Sequence, residues 1–263
     1  MTSAFTQSNW HSAVANLIAG ESVEEMAAAL IEALDQVVNH QGTCLLAFYN
    51  DAPPEVVHHT LEPAGARHYL DKYLAGPYLL DPLYQLAVAD GKPGMCRYRD
   101  QAPDRFRSSE YYRQYCERTH LGDEVDFLLD ADEGCTLALV VARRQSRFSK
   151  AEILRLAAIE PVVHAAMQSI WKFWAPVRGA ADRDADLHRR LTECFDNFGA
   201  ELLTEREREI TQLLLRGFST KAIARKLDIA PGTVMVHKRN LFGKLGITSQ
   251  FELFSRFIDA LSG

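Results

Sequence analysis

Two groups of residues have types and spacings that could do chemistry. The first lies near the C-terminal end. Over Pro231–Leu245, at ~100° per residue, Val234, Leu241 and Leu245 share one helical stripe, while Val236, Arg239, Asn240 and Gly243 fall roughly opposite. A helix of this diameter fits the major groove of DNA, where Arg and Asn read base edges while Lys side chains and helix amides hold phosphates. Lys221, Lys226, Thr233, Lys238 and Lys244 are the phosphate partners on offer nearby, and His237, at the edge of the apolar stripe, is expected to pack. The second group is Tyr69, Tyr73, Tyr78, Tyr84, Tyr111, Tyr112 and Tyr115 with Asp81. Aromatic faces with one carboxylate suit a small amine or amide. The same tyrosines also suit a packed core with hydroxyls in water, and Asp81 before Pro82 also suits a helix cap.

The elements that must position the first group are legible. Thr204 and Glu207 have the form of a capping box opening a helix whose Ile210, Leu213 and Leu214 share a face, closed by Gly217. Ser219 caps a second helix with Ala222, Ile223 and Leu227 inward; Asp228, Ile229 and Ala230 turn the chain, and Pro231 suits a first helical position. That is helix, turn, helix. Ser249 and Glu252 box a fourth helix whose Phe254, Phe257, Ile258 and Leu261 offer more apolar surface than one short helix buries alone, so a dimer seam is expected there.

Upstream, Trp10, Val14, Leu17 and Ile18 mark one amphipathic helix, and Ser22 with Glu25 caps a second. Thr43–Tyr49 and Glu55–Leu61 read as two strands, followed by helices at about 66–75, 81–89 and 108–119. Glu124–Asp130 and Cys135–Arg143 form a hairpin, and Ser149 with Glu152 boxes a long helix toward Trp174. Pro161 predicts a kink or break in it near Glu160. Residues 175–202 are polar and charge-dense, with a weakly apolar helical turn at Leu187, Leu191 and Phe195, and read as a linker. The organisation is thus an α+β sensor and dimerisation domain, 1–174, with helices on an antiparallel sheet, a linker, 175–202, and an all-α four-helix domain, 203–263.

Charge divides the chain in the same place. Of 263 residues with a net charge of -6, residues 203–263 hold 10 Lys and Arg against 6 Asp and Glu, so the rest carries the acid excess. That split points the small end at a polyanion. With 47% hydrophobic and 24% charged residues, disordered and fibrous classes are out. The opening residues lack a basic cluster before an apolar run, and uncharged runs such as Pro161–Trp171 fall short of the ~20 apolar residues of a spanning helix, so a cytoplasmic protein without a membrane partner is expected. Cys44, Cys96, Cys116, Cys135 and Cys194 are scattered without metal-ligand spacing, so neither disulfides, metal nor cofactor is implied. An enzyme would have to use His58, His59, Cys44 or Cys135, with no nucleophile elbow, phosphate loop or carboxylate dyad beside them. A redox sensor would use Cys96 or Cys116.

From Leu203 the chain resembles the DNA-binding domain of LuxR-type transcription regulators. The family pattern is met by Leu203, Thr204, Arg206, Glu207, Gly217, Ser219, Ile223, Ala224, Leu227, Thr233, Val234, His237, Lys244, Leu245 and Gly246. The resemblance implies a four-helix helix-turn-helix reader with base-reading positions at Met235, Val236, Arg239 and the adjoining Asn240. Met235 stands where the family often has Lys, which favours an apolar contact such as a thymine methyl. No receiver-domain pattern of acidic pair, central Asp and later Lys precedes it.

The sensor is closest in general architecture to PAS- or GAF-like domains, or to the autoinducer domain of the acyl-homoserine-lactone sensors. Tyr73 and Asp81-Pro82 resemble the Tyr and Asp-Pro of those sensors, at an interval of eight instead of nine and with Tyr69 in place of Trp. The resemblance implies a ligand N–H donating to Asp81 and a hydroxyl donated by Tyr73. Together these features predict a sequence-specific regulator, an activator by family habit, that binds an inverted-repeat operator in double-stranded DNA as a homodimer under a small-molecule signal, and meets RNA polymerase if it activates. Control by a protein partner or by cysteine redox state is the alternative.

Overall fold

Every residue of β1 (Gly42–Tyr49) and β5 (Cys135–Arg143) is buried, because the sheet they centre is covered on both faces. The computed structural model describes residues 8–61, 70–89, 94–117, 123–144, 146–177 and 182–262. With β2 (Glu55–His59), β3 (Met95–Arg97) and β4 (Asp123–Asp132) the strands form one antiparallel sheet in the order β2-β1-β5-β4-β3. The expected hairpin is β4–β5, joined at Gly134, whose φ of 72° suits a residue without Cβ. The edge strand β3 has three residues, too short for a period-two signal, and was not foreseen.

Side chains alternate across this sheet. Leu45, Ala47 and Tyr49 of β1 and Leu137, Leu139 and Val141 of β5 face a layer of α1 (Ser8–Ala19), α2 (Val23–Asp35) and α4 (Lys150–Trp174). Ser22 caps α2 as expected, and Ser149 with Glu152 completes a capping box at α4. The break expected at Pro161 does not occur: α4 is continuous over 25 residues. Pro161 is exposed, and the buried residues Leu156, Ile159, Val163 and Met167 pin the helix on both sides of the missing N–H.

Cys44, Leu46 and Phe48 of β1 and Ala138, Val140 and Ala142 of β5 face the other way, toward the 70–89 segment. That segment holds a short helical stretch at 70–74, a 3-10 turn Pro77–Leu80 and α3 (Pro82–Ala87). The helix expected at about 108–119 is instead a 3-10 turn, Phe106–Ser108, and a π-helical turn, Tyr112–Cys116.

The second core belongs to the C-terminal helices and runs into the first. Within the stretch expected as linker, α5 (Asp182–Asn197) is a 16-residue helix that buries His188, Leu191 and Phe195. Its polar face faces water, which is why its composition suggested a solvated segment. Then come α6 (Glu205–Leu215), α7 (Thr220–Lys226), α8 (Pro231–Leu245) and α9 (Gln250–Ser262). The seam on α9 is a correction: Phe254 and Phe257 are buried within the chain, with Phe257 edge-on to Phe195 of α5 and to Phe198, so this face is not left for a second copy.

Candidate functional site

The reader is assembled by local capping and a small core. Thr204 and Glu207 form a complete capping box on α6, Ser219 accepts from Ala222 N at the start of α7, and Pro231 opens α8. Val234, Leu241 and Leu245 pack α8 onto α6 and α7. The opposite face of α8 is open: Met235 is 64% and Val236 46% exposed, and Arg239, Asn240 and Thr233 are exposed with them. His237 is half-buried.

The expected phosphate lysines divide. Lys221 is exposed at the start of α7, and Lys226 is exposed with its ammonium 5.8 Å above the Phe218 ring. Lys238 is half-buried, 5.3 Å over Phe242, and both burial and the Arg105 charge lower its pKa. Lys244 Nζ lies 2.6 Å from Glu207 Oε2, whose side chain is buried, so Lys244 ties α8 to α6. Burial alone would raise the Glu207 pKa; the bonds from Lys244 and Thr204 outweigh it and hold the carboxyl below its usual value. From the sequence Glu207 is a cap partner and a position of the family pattern; its ion pair with Lys244 comes only from the fold.

The sensor contains a cavity of about 60 Å³ lined by Thr43, Cys44, Tyr73, Asp81, Glu124 and Val140 among others. Asp81 caps α3 through Leu83 N at 2.9 Å and also accepts from Tyr73 at 2.8 Å and Tyr98 at 3.0 Å. The cap and the binding group are therefore the same carboxylate. Tyr73 spends its proton on Asp81, not on a ligand. Tyr98 and Glu124 were missed, since neither stands at a spacing that links it to Asp81.

Of the remaining tyrosines, Tyr78, Tyr84 and Tyr111 are buried in the core that meets the C-terminal helices. Tyr78 and Tyr84 meet edge-on at 5.1 Å, Tyr111 packs against Phe106, and Tyr112 is half-buried edge-on to Phe106. The Tyr115 side chain and Tyr69 lie outside the described residues. Cys44, Cys96 and Cys135 are buried, and burial with nearby carboxylates pushes the Cys44 and Cys96 thiols up to about 12. Cys96, one of the two thiols a redox sensor would use, is 7% exposed. That is the reverse of what a reactive thiol needs. Among the described residues no His, Cys, Asp and Glu group could hold a metal ion, and no helix is long and apolar enough to cross a membrane.

The profile of the bacterial regulatory proteins of the luxR family matches residues 201–257. Over 186 residues, 69% of this chain and 94% of the relative, the sequence is 32% identical to a protein of Aeromonas salmonicida named as an HTH-type transcriptional regulator in the exeN 3′ region. The chain belongs to the LuxR family of transcription regulators. A second relative, the monoamine regulon transcriptional regulator of Klebsiella aerogenes, is 26% identical over 78% of this chain and 77% of its own length. The VqsR LBD domain of Pseudomonas aeruginosa shares the fold of the N-terminal part, with a TM-score of 0.57 at 24% identity over 64% of this chain and 99% of that one.

In this LuxR-family chain the reader is docked on the sensor. Arg105 N donates to Gly217 O at 3.2 Å, and Ser219 N donates to Asp104 Oδ1 at 2.9 Å. Gly217, at φ 91°, comes so close to Phe106 that a Cβ there would lie 3.1 Å from the Phe106 Cα. The 104–106 turn of the sensor therefore sits against the N-terminal end of α7.

Proposed function

We propose that this LuxR-family regulator is a sequence-specific activator that binds an inverted-repeat operator as a homodimer and contacts RNA polymerase, with its DNA binding set by a small molecule in the sensor cavity. Met235, Val236, Arg239 and Asn240 read bases, and Lys221, Lys226, Thr233 and Lys238 hold phosphates. The observation that carries this reading is the continuity of Pro77–Ala87 from the cavity to the reader. Asp81 lines the cavity, while Tyr78, three residues earlier, hydrogen-bonds His188 on α5. A ligand that moves Asp81 moves the platform of the reader. The name of the Klebsiella aerogenes relative, a monoamine regulon regulator, agrees with a small-molecule signal.

The test is selection of binding sites from random duplex DNA with the full-length protein, followed by titration of the selected duplex and sedimentation of the complex. The expected result is a symmetric site with half-sites about one helical turn apart, bound by two chains. Selected sites without symmetry, bound by one chain, would remove the dimer. An affinity indifferent to every ligand that raises the melting temperature would remove control by that cavity.

A further inference from the structure

The alternation of β4 sends Val125 and Phe127 to the α-helical layer and Glu124, Asp126 and Leu128 to the cavity side. Two carboxyls thus stand on a face that is otherwise apolar. Glu124 lines the cavity with Asp81. Asp126 is paired with Val140 and Cys96 across the sheet, is 0% exposed, and among the described residues its carboxyl has only the Glu124 carboxyl as a hydrogen-bond partner. No Lys, Arg or His among the described residues forms an ion pair with Asp81, Glu124 or Asp126; the guanidinium of Arg97 goes to Asp123 instead, at 3.8 Å.

Apart from the Thr43 hydroxyl and the proton held by Glu124, the polar lining is acceptor. Asp81 Oδ1 takes bonds from Leu83 N and Tyr98, while Oδ2 takes one from Tyr73 and keeps a lone pair. Tyr73 has donated its proton to Asp81, so toward the cavity its oxygen accepts. A group with three N–H donors and a positive charge gives one bond each to Asp81, Tyr73 and Glu124 and balances the charge that Glu124 gains on losing its proton. We propose that the sensor cavity takes a small primary ammonium on a short apolar chain, held between Asp81 and Glu124 with Tyr73 as a third acceptor and Asp126 behind Glu124. This rests on the reading of the N-terminal domain as a small-molecule sensor and names the ligand class.

Burial, then the neighbouring carboxylates, pushes Glu124 up to about 8 and raises Asp126 strongly, and burial raises Asp81 against its three hydrogen bonds. The other titratable groups facing them are the Cys44 and Cys96 thiols, which stay protonated, and Asp123, paired with Arg97. The empty site therefore keeps the Glu124 proton at neutral pH. An entering ammonium displaces it to solvent, one cation in and one proton out, so affinity rises with pH until Glu124 is ionised.

The experiment is calorimetric titration of the full-length protein with n-butylamine and 1,4-diaminobutane, against 1-butanol and butyrate, from pH 6 to 8.5. An amine is expected to bind with release of close to one proton and about tenfold tighter per pH unit up to about pH 7.5, and the alcohol and acid not at all. Glu124→Gln should weaken the amine at least tenfold and abolish the pH slope. A second readout needs no ligand. With its folded pKa above the unfolded one, Glu124 costs the fold stability as pH rises from 5 toward 8, and Glu124→Gln should flatten that decline. Binding of butanol or butyrate as tight as that of the amines would overturn the cation while leaving the small-molecule reading standing. Stability profiles of the native chain and Glu124→Gln that run parallel from pH 5 to 8 would overturn the proton-holding site. Silence from amines, butanol, butyrate and acyl-lactones alike would overturn both.

Discussion

The Tyr78 hydroxyl and His188 Nδ1 lie 2.8 Å apart across 110 residues of sequence, joining the segment that forms the sensor cavity to the helix that leads into the reader. Both side chains are buried, and the rings stack at 6.0 Å. Either neutral tautomer satisfies the imidazole, because the Tyr78 hydroxyl at Nδ1 and the Thr192 hydroxyl at Nε2, 3.3 Å away, can each donate or accept. Tyr78→Phe removes the bond to Nδ1 and should cost about 1 kcal/mol of docking. Amide hydrogen exchange should accelerate over 187–196 and stay unchanged in β1 and β5. Acceleration throughout the sheet would make Tyr78 a residue of the sensor core alone.

The same imidazole sets a pH dependence. Burial lowers the His188 pKa below 6.5, against the raising influences of Asp51 and Asn50. The unfolded or undocked chain therefore binds the proton more readily. The stability held by neutral His188 is complete above pH ~6.5 and drains away as pH falls below it. The urea midpoint of the native chain, taken relative to that of His188→Gln, should fall between pH 7.5 and 5.5, the opposite slope from Glu124 being common to both. A difference constant with pH would place the titration elsewhere.

Asp104 occupies the amide end of α7, where its bond from Ser219 N helps hold the carboxyl below its usual value despite some burial. A helix N-terminus is a place where phosphates bind. Asp104→Ala should therefore strengthen binding to any duplex by about twofold to fivefold at low salt, the worth of one charge at a helix end. Anisotropy on specific and random DNA reads this, and unchanged affinity on both would show that α7 meets no phosphate.

Lys244 and Arg239, both basic residues of α8, should fail in different ways. Lys244→Ala leaves Glu207 buried without its ion pair and should lower stability by about 1–2 kcal/mol, discounted for the partial exposure of the lysine. Arg239→Ala should leave the melting temperature alone, cost about 1–3 kcal/mol at the operator and relax base preference. Equal loss on specific and random DNA would take Arg239 out of the base readers.

The helix-turn-helix was legible because its information is local. Capping boxes at Thr204 and Ser149, caps at Ser22 and Ser219 and the stripe of Val234, Leu241 and Leu245 are all set by residues of one helix and its cap. The β4–β5 hairpin was legible for the same reason. Asp81 and Tyr73 were reached through spacing, but their mutual hydrogen bond was not, because an eight-residue interval says nothing about which way each side chain turns.

What the sequence by itself determined about this protein was most of the strands and capped helices, the exposed polar face of α8 and the family. The tertiary structure alone decided what covers what. It put Phe254 and Phe257 under α5 instead of in a dimer seam, kept α4 whole through Pro161, brought Asp104 to Ser219, and gathered Glu124 and Asp126 of β4 beside Asp81. Those relationships pair residues far apart in the chain. They depend on the summed packing of the sheet and helices, so no local spacing carries them.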